Sequence, residues 1–81
     1  MAYAATVGER MRAYMKAHEF TAREQDVFAL MIRTGGSVKD IALILGIAPN
    51  TMNNHLKGLF RKCGVANKSA LLAHFIREGL T

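Results

Sequence analysis

The sequence of 81 residues contains little that would allow cross-linking or insertion into a membrane. Its single cysteine, Cys63, cannot form an internal disulfide or the paired thiolates of a zinc ribbon, so packing must hold the fold together. The longest apolar run, from Ile41 to Ala48, is interrupted by Gly46 and is far shorter than the ~20 residues that span a bilayer. The first residues do not combine a basic stretch with an apolar block. We therefore expect no membrane span, no signal peptide and a cytoplasmic protein.

Acidic residues are absent from most of the second half of the chain. Five basic residues and no carboxylate lie between Ile41 and Arg77, whereas residues 1–40 hold six basic and five acidic residues. This half of the chain would present a positive field suited to a polyanion. A basic surface that serves only solubility is the alternative interpretation.

Proline occurs once, and no stretch of strand length alternates apolar and polar side chains. The apolar residues instead recur at helical spacing, with breaks at glycine or asparagine, which predicts an all-α fold of five helices. Hydrophobic residues make up 51% of the chain, enough for one core. The residues predicted to face this core are, helix by helix, Val7, Met11, Tyr14, Met15 and His18; Val27, Leu30 and Met31; Ile41, Ala42 and Leu45; Met52, Leu56, Leu59, Phe60 and Cys63; and Leu71, Leu72, Phe75 and Ile76.

Local signals predict where the helices begin and end. The first helix covers about residues 2–18, and two Ser/Thr residues, each followed three residues later by an acidic one, begin the second and third, at Thr21 and Ser37. Glu24, the acidic residue of the first pair, is also expected to pair with a base of a later helix. Pro49 suits the first position of the fourth helix, and Asn67 caps the fifth. A seam near residue 19 then divides the chain into an N-terminal amphipathic helix, residues 1–19, and a four-helix unit, residues 20–81.

The third and fourth helices have the spacing of a helix-turn-helix. The small residue Ala42 lies where two helices must approach closely, Gly46 lies at the tight turn, and apolar residues fill the contact between the helices. At about 100° per residue, the fourth helix gathers its apolar residues on one side. The opposite side gathers Asn50, Asn53, Asn54, Lys57 and Arg61.

The polar face of the fourth helix has the chemistry of a surface that binds a DNA groove. Asparagine can bond to the edge of adenine, lysine can donate to guanine, and either cation can hold phosphates. An ordinary solvent-facing helix would more often pair Glu with Lys or Arg, because asparagine is a poor helix former. A solvated face without a ligand is the alternative.

From residue 20 to residue 73 the chain resembles the LuxR/GerE-type DNA-binding domain of bacterial transcription regulators. The matching strings are FTARE at 20–24, GGSVKDIA at 35–42, LGI at 45–47, NT at 50–51, HL at 55–56 and FRKCGV at 60–65. The resemblance implies a four-helix domain that inserts its third helix, here the helix from Pro49 to about Cys63, into the major groove. It also implies a last helix that commonly forms a dimer on paired half-sites.

The resemblance and the polar face together indicate contacts with DNA. We predict base contacts by Asn53, Asn54 and Lys57, and contacts with the DNA backbone by Lys39, Asn50, Thr51, Arg61 and Lys62. Many family members carry Lys or Arg where this chain has Met52 followed by Asn53, which removes one cation from the groove.

The outer side of the fifth helix is predicted to contact a second copy of the chain through Ala70, Ala73, His74 and Arg77. The two alanines are equally explained by the high helix propensity of alanine, without any partner.

Three roles stay open for the N-terminal helix: packing against the four-helix unit, extending the dimer contact, or belonging to a linker from a larger regulator.

Catalysis and metal binding find little support. The sequence has no P-loop and no Rossmann glycine pattern. His18, His55 and His74 lie on three helices, with no clustered carboxylate or thiolate in the sequence, so we expect no metal site and no cofactor. Cys63 is interpreted as a small core residue and not as a nucleophile.

Two hypotheses from different classes follow. The first is sequence-specific binding of double-stranded DNA in bacterial transcription regulation, as a homodimer associated with the nucleoid. The second is a protein-interaction module of the same fold that binds another regulator or RNA polymerase. The absence of a Lys or Arg at Met52 and Asn53 favours this second hypothesis.

Overall fold

The computed structural model describes residues 6–79, and all the regular structure in that range is helical. The helices are α1 (Val7–Ala17), α2 (Ala22–Thr34), α3 (Val38–Leu45), α4 (Pro49–Cys63) and α5 (Lys68–Gly79). The predicted all-α class, with one helix preceding a four-helix unit, is therefore confirmed. None of the helices over residues 6–79 is long and apolar enough to cross a membrane.

Side-chain caps begin α2, α3 and α5 where the sequence predicts them. The Thr21 hydroxyl accepts from the backbone N–H of Glu24, and the Glu24 carboxylate accepts from the backbone N–H of Thr21, which completes a capping box. Ser37 and Asn67 cap α3 and α5 with their side-chain oxygens. Pro49 is the first residue of α4, which has no side-chain cap.

The start of α1 differs from the prediction. Thr6 and Glu9 form a second complete capping box, so the helix begins at Val7 and not near residue 2, and residues 1–5 lie outside the described range. The same Thr-x-x-Glu spacing that marks α2 is present here and would have predicted this start. Val7 is 52% exposed, which corrects its assignment to the buried stripe. Side chains in a first turn point back past the end of the helix, where no earlier turn covers them.

The end of α1 is closed by a Schellman motif that uses no glycine. Phe20 N donates to Met15 O at 3.0 Å, and Glu19 N donates to Lys16 O at 3.1 Å. Glu19 has a φ of 56°, in the left-handed region that a residue with a Cβ rarely occupies. The chain thereby reverses direction between α1 and α2.

Three aromatic rings from three helices form the centre of the core. Tyr14 of α1 lies 5.4 Å from Phe28 of α2 and 5.1 Å from Phe75 of α5, measured between ring centroids, and the last two rings lie 5.3 Å apart. All three side chains are buried. In the described residues, α1 therefore packs against α2 and α5. Phe28 was missing from the predicted core, although its spacing of three residues from Met31 fits the stripe.

The core stripe of α5 is narrower than predicted. Leu71 and Phe75 are buried and Leu72 is partly buried, but Ile76 is 55% exposed. A step of one residue turns a helix by about 100°, which carries Ile76 away from the face that Phe75 occupies. The exposed face of α5 is thus more apolar than the sequence pattern indicates.

Candidate nucleic-acid interface

A tight turn at Gly46 sets the angle between α3 and α4. Gly46 has a φ of 65°, and the turn closes with Ile47 N donating to Ala42 O at 3.0 Å and Gly46 N donating to Leu43 O at 3.2 Å. Ala42 is buried where the two helices approach. The predicted helix-turn-helix frame is therefore present.

The fourth helix has one buried and one exposed face. Its buried residues include Met52, Leu56, Leu59 and Cys63, as predicted. Every residue of the predicted polar face is exposed, together with the neighbouring Thr51: Asn50, Thr51, Asn53, Asn54, Lys57 and Arg61. His55 is partly buried at the border between the two faces. A continuous strip of amides and cations is thus accessible along α4.

A buried carboxylate fixes the position of α4 against α2. Lys62 Nζ donates to Glu24 Oε1 at 2.6 Å and to Glu19 O at 3.0 Å. The Glu24 side chain is only 7% exposed. The predicted pairing of Glu24 with a base of a later helix is confirmed, and Lys62, predicted to contact the DNA backbone, has its ammonium engaged within the protein.

Gly58 allows this approach. It is buried in the middle of α4, and a Cβ at this position would overlap Glu24 Oε2. A glycine inside a helix costs ~1 kcal/mol relative to alanine, so its presence here is explained by the carboxylate that lies against it. The sequence gives no signal that separates this glycine from one that ends a helix.

The environment of Glu24 keeps it ionised. Burial alone would raise its pKa, but hydrogen bonds from Lys62 and from the Thr21 N–H outweigh burial and hold the pKa below its ordinary value of 4.5. The negative charge is therefore present at neutral pH, where it binds Lys62.

Four of the five cations of the acid-free segment divide into two groups, and the fifth, Arg77, is exposed on α5. Lys62 pairs with Glu24, and Lys68 Nζ donates to Gly36 O at 2.8 Å, so both stabilise the fold. Lys57 and Arg61 have no ion-pair partner within residues 6–79, and both point into solvent from α4. Of these four cations, the two that are free to meet a ligand therefore lie on the exposed face of α4.

The N-terminal end of α4 adds a partial positive charge to this face. No side chain caps its first N–H groups, and no acidic residue lies in its first turn.

An apolar depression between α3 and α4 is bordered by Lys39 and Asn53. Lys39 is exposed, so the structure brings a cation of α3 to the same surface as the start of α4.

The predicted dimer residues of α5 lie in different environments. Ala73 and Arg77 are exposed, whereas Ala70 and His74 are partly buried. His74 faces α1, because its Nδ1 lies 2.6 Å from the Tyr14 hydroxyl.

Two of the three histidines lie beside a carboxylate, whereas the sequence pattern indicated no such cluster. His18 and His74 have ring centroids 5.5 Å apart, and each places Nε2 2.9 Å from an oxygen of Glu78. The hydrogen bond from His18 is the main reason that the pKa of Glu78 lies below its ordinary value. The sequence lacked the information that α1 packs against α5, which brings residues 60 positions apart into contact.

Comparisons with known proteins identify the class to which this fold and surface belong. The family model of bacterial regulatory proteins of the luxR family matches residues 18–75. The chain therefore belongs to this family, whose DNA-binding domain has a helix-turn-helix such as the one formed here by α3 and α4. No solved structure matches the chain significantly.

Three relatives show how this domain occurs in longer and shorter proteins. The probable transcriptional regulatory protein NarL of Mycobacterium tuberculosis is 37% identical over 71 residues, which are 88% of this chain and 32% of NarL. The transcriptional regulatory protein MctR of Rhizobium johnstonii is 33% identical over 76 residues, which are 94% of this chain and 34% of MctR. The spore germination protein GerE of Bacillus subtilis is 34% identical over 71 residues, with 80% of this chain and 95% of GerE covered. The chain therefore spans about a third of the length of NarL and MctR.

Proposed function

We propose that this chain binds double-stranded DNA sequence-specifically and regulates transcription, with α4 in the major groove. One observation carries the proposal: Asn53, Asn54 and Lys57 are exposed on α4, while Met52 and Leu56 anchor its opposite face in the core. A helix held in this way can enter a groove without losing its own packing. Action on the bacterial chromosome would place the protein at the nucleoid, in the cytoplasm.

The proposed contacts differ in what they recognise. Asn53, Asn54 and Lys57 would meet base edges, because amides and ammonium groups match the donors and acceptors of the major groove. Arg61 and Lys39 would hold phosphates on either side of these base contacts, and the uncapped N–H groups at Asn50 and Thr51 suit a third phosphate. These contacts account for both sequence preference and salt dependence.

Lys62 has a different proposed role. Its ammonium is committed to Glu24 and to the carbonyl of Glu19, so its main contribution would be to hold α4 in place. A phosphate could contact Lys62 only as a third partner, in addition to Glu24 and the Glu19 carbonyl.

A symmetric dimer is the proposed binding form, with α5 as the contact. Ile76 and Ala73 are three residues apart and both exposed, so they share one apolar strip on the outside of α5. Alanine at position 73 allows a second helix to approach closely, and Ile76 would gain burial. Two copies related in this way would bind two half-sites.

Selection from random duplexes tests the proposed function. The chain is incubated with a random duplex pool at two salt concentrations, and bound sequences are determined after several rounds. We expect an enriched motif with two half-sites, and a loss of affinity at the higher salt concentration. If the bound duplexes show no enriched motif at either salt concentration, sequence-specific binding is contradicted.

Binding to another regulator or to RNA polymerase is the second candidate function. Leu43 and Ile44 favour it, because these two large apolar side chains of α3 are 73% and 59% exposed. Stoichiometric binding to such a protein, without any salt-sensitive shift of duplex DNA, would support this candidate over the first.

A further inference from the structure

The end of α1 and the last turns of α5 bring together three side chains of the types that ligate metal ions. His18 Nε2 lies 2.9 Å from Glu78 Oε1, and His74 Nε2 lies 2.9 Å from Glu78 Oε2. One ligand atom of each residue lies within 4.8 Å of the other two. We propose that His18, His74 and Glu78 form a binding site for a divalent transition-metal ion of the zinc class.

The ligand set fits such an ion. Two imidazole nitrogens and one carboxylate oxygen are common ligands of zinc, and water completes the coordination when the protein supplies three. Zinc bonds of about 2.0–2.2 Å in tetrahedral geometry place ligand atoms about 3.4 Å apart. The widest separation would therefore have to shrink by no more than about 1.4 Å. Glu78 has the freedom to make this adjustment, because its side chain is 54% exposed.

A buried tyrosine orients the imidazoles. The Tyr14 hydroxyl lies 2.6 Å from His74 Nδ1, and the Tyr14 ring centroid lies 4.5 Å from that of His18. Tyr14 is packed against Phe28 and Phe75 and cannot swing away without opening the core. A hydroxyl can accept a hydrogen bond from Nδ1–H, which leaves the Nε2 lone pair of His74 for the ion.

The same three residues also form a network without a metal. In that state the Glu78 carboxylate accepts from both Nε2–H groups, whereas the metal-bound state requires lone pairs on both Nε2 atoms. Since an ion would join α1 to α5, its binding would stabilise the contact through which α1 packs against the other helices. The site lies outside the proposed DNA-binding strip on α4 and adds to the proposed function.

Zinc titration of the full chain without an affinity tag tests the proposal. With Zn²⁺ alone as the probe at neutral pH, we expect calorimetry to give one ion per chain. The Tm should rise by roughly 10–20 °C when free zinc is ~100-fold above Kd. In NMR spectra the imidazole signals of His18 and His74 should shift and those of His55 should not. Mg²⁺, which prefers oxygen ligands, should produce neither effect.

Matched variants locate the site. Glu78→Gln changes an exposed side chain without altering its shape, and His18→Ala removes one imidazole; each should weaken zinc binding at least ~10-fold. His55→Ala removes the histidine of α4 and should leave zinc binding unchanged. The proposal is overturned if wild type shows no saturable zinc binding or if Glu78→Gln and His18→Ala bind zinc as wild type does. A ratio of one ion to two chains would also overturn it, because the ligands would then come from two molecules.

Discussion

Lys62 Nζ lies 2.6 Å from Glu24 Oε1, so an ion pair joins the last turn of α4 to the first turn of α2. The same carboxylate accepts from the Thr21 N–H and begins α2. One side chain thus caps one helix and positions the helix that carries the proposed DNA-binding strip. Loss of either partner should therefore affect stability and α4 together.

Lys62→Met should destabilise the fold by about 1.5–3 kcal/mol, because a largely buried carboxylate loses a charged hydrogen-bond donor. Urea unfolding followed by circular dichroism measures the change. Lys57→Met, on the exposed face of the same helix, is the matched control and should stay within about 0.5 kcal/mol of wild type. Equal stabilities for the two variants would show that the ion pair contributes nothing.

The stability contributed by Glu24 should depend on pH in a defined direction. Its folded-state pKa lies below the ordinary 4.5, so the unfolded chain takes up the proton first as the pH falls. The contribution is complete above the ordinary pKa and is lost as the pH falls through the folded-state pKa. Glu24→Gln does not titrate, so the stability gap between it and wild type should narrow as the pH falls below the ordinary pKa. Urea unfolding at several pH values measures that gap, and a constant gap would refute the assignment.

Gly58→Ala should destabilise the protein by about 1 kcal/mol although alanine favours helix. The overlap with Glu24 costs ~1–3 kcal/mol, against a gain of ~1 kcal/mol in helix propensity. In a Glu24→Ala background the space is free, and the same substitution should become stabilising by up to ~1 kcal/mol. A double-mutant cycle measured by urea unfolding tests this reversal of sign; the same sign in both backgrounds would argue against the steric explanation.

Lys57→Ala and Arg61→Ala should weaken DNA binding in different ways. Lys57→Ala should cost about 1–3 kcal/mol and relax preference at one base position, whereas Arg61→Ala should weaken all duplexes alike and reduce the salt slope by about one. Fluorescence anisotropy on selected and scrambled duplexes at several salt concentrations separates the two effects. Lys16→Ala, an exposed lysine of α1, serves as the control. Equal losses on both duplexes for Lys57→Ala would remove its base-reading role.

Ile76→Glu should weaken self-association about 10-fold or more, because burial of one isoleucine is worth roughly 1.5–3 kcal/mol. Sedimentation velocity over a range of concentrations measures the change. Ile44→Glu introduces the same charge on the exposed face of α3 and should leave the dimer intact. Wild-type chain that stays monomeric at all concentrations would refute the proposed dimer.

Local features of this chain could be predicted because their causes lie within a few residues. Each of three features depends on residues that lie within about two helical turns of one another: the capping box at Thr21, the turn at Gly46 and the two faces of α4. Steric preferences and helical periodicity act at that range, so they can be identified without a tertiary structure.

The sequence by itself determined the helical class, the helix-turn-helix frame and which side of α4 is polar. Only the tertiary structure decided that Lys62 forms an ion pair with Glu24, that Gly58 leaves space for the Glu24 carboxylate and that Ile76 lies outside the core. It also brought His18 to His74 and to Glu78, the second of which lies 60 residues further along the chain. These relationships depend on how separate helices pack, and a local pattern carries no information about which distant residue will fill a given contact.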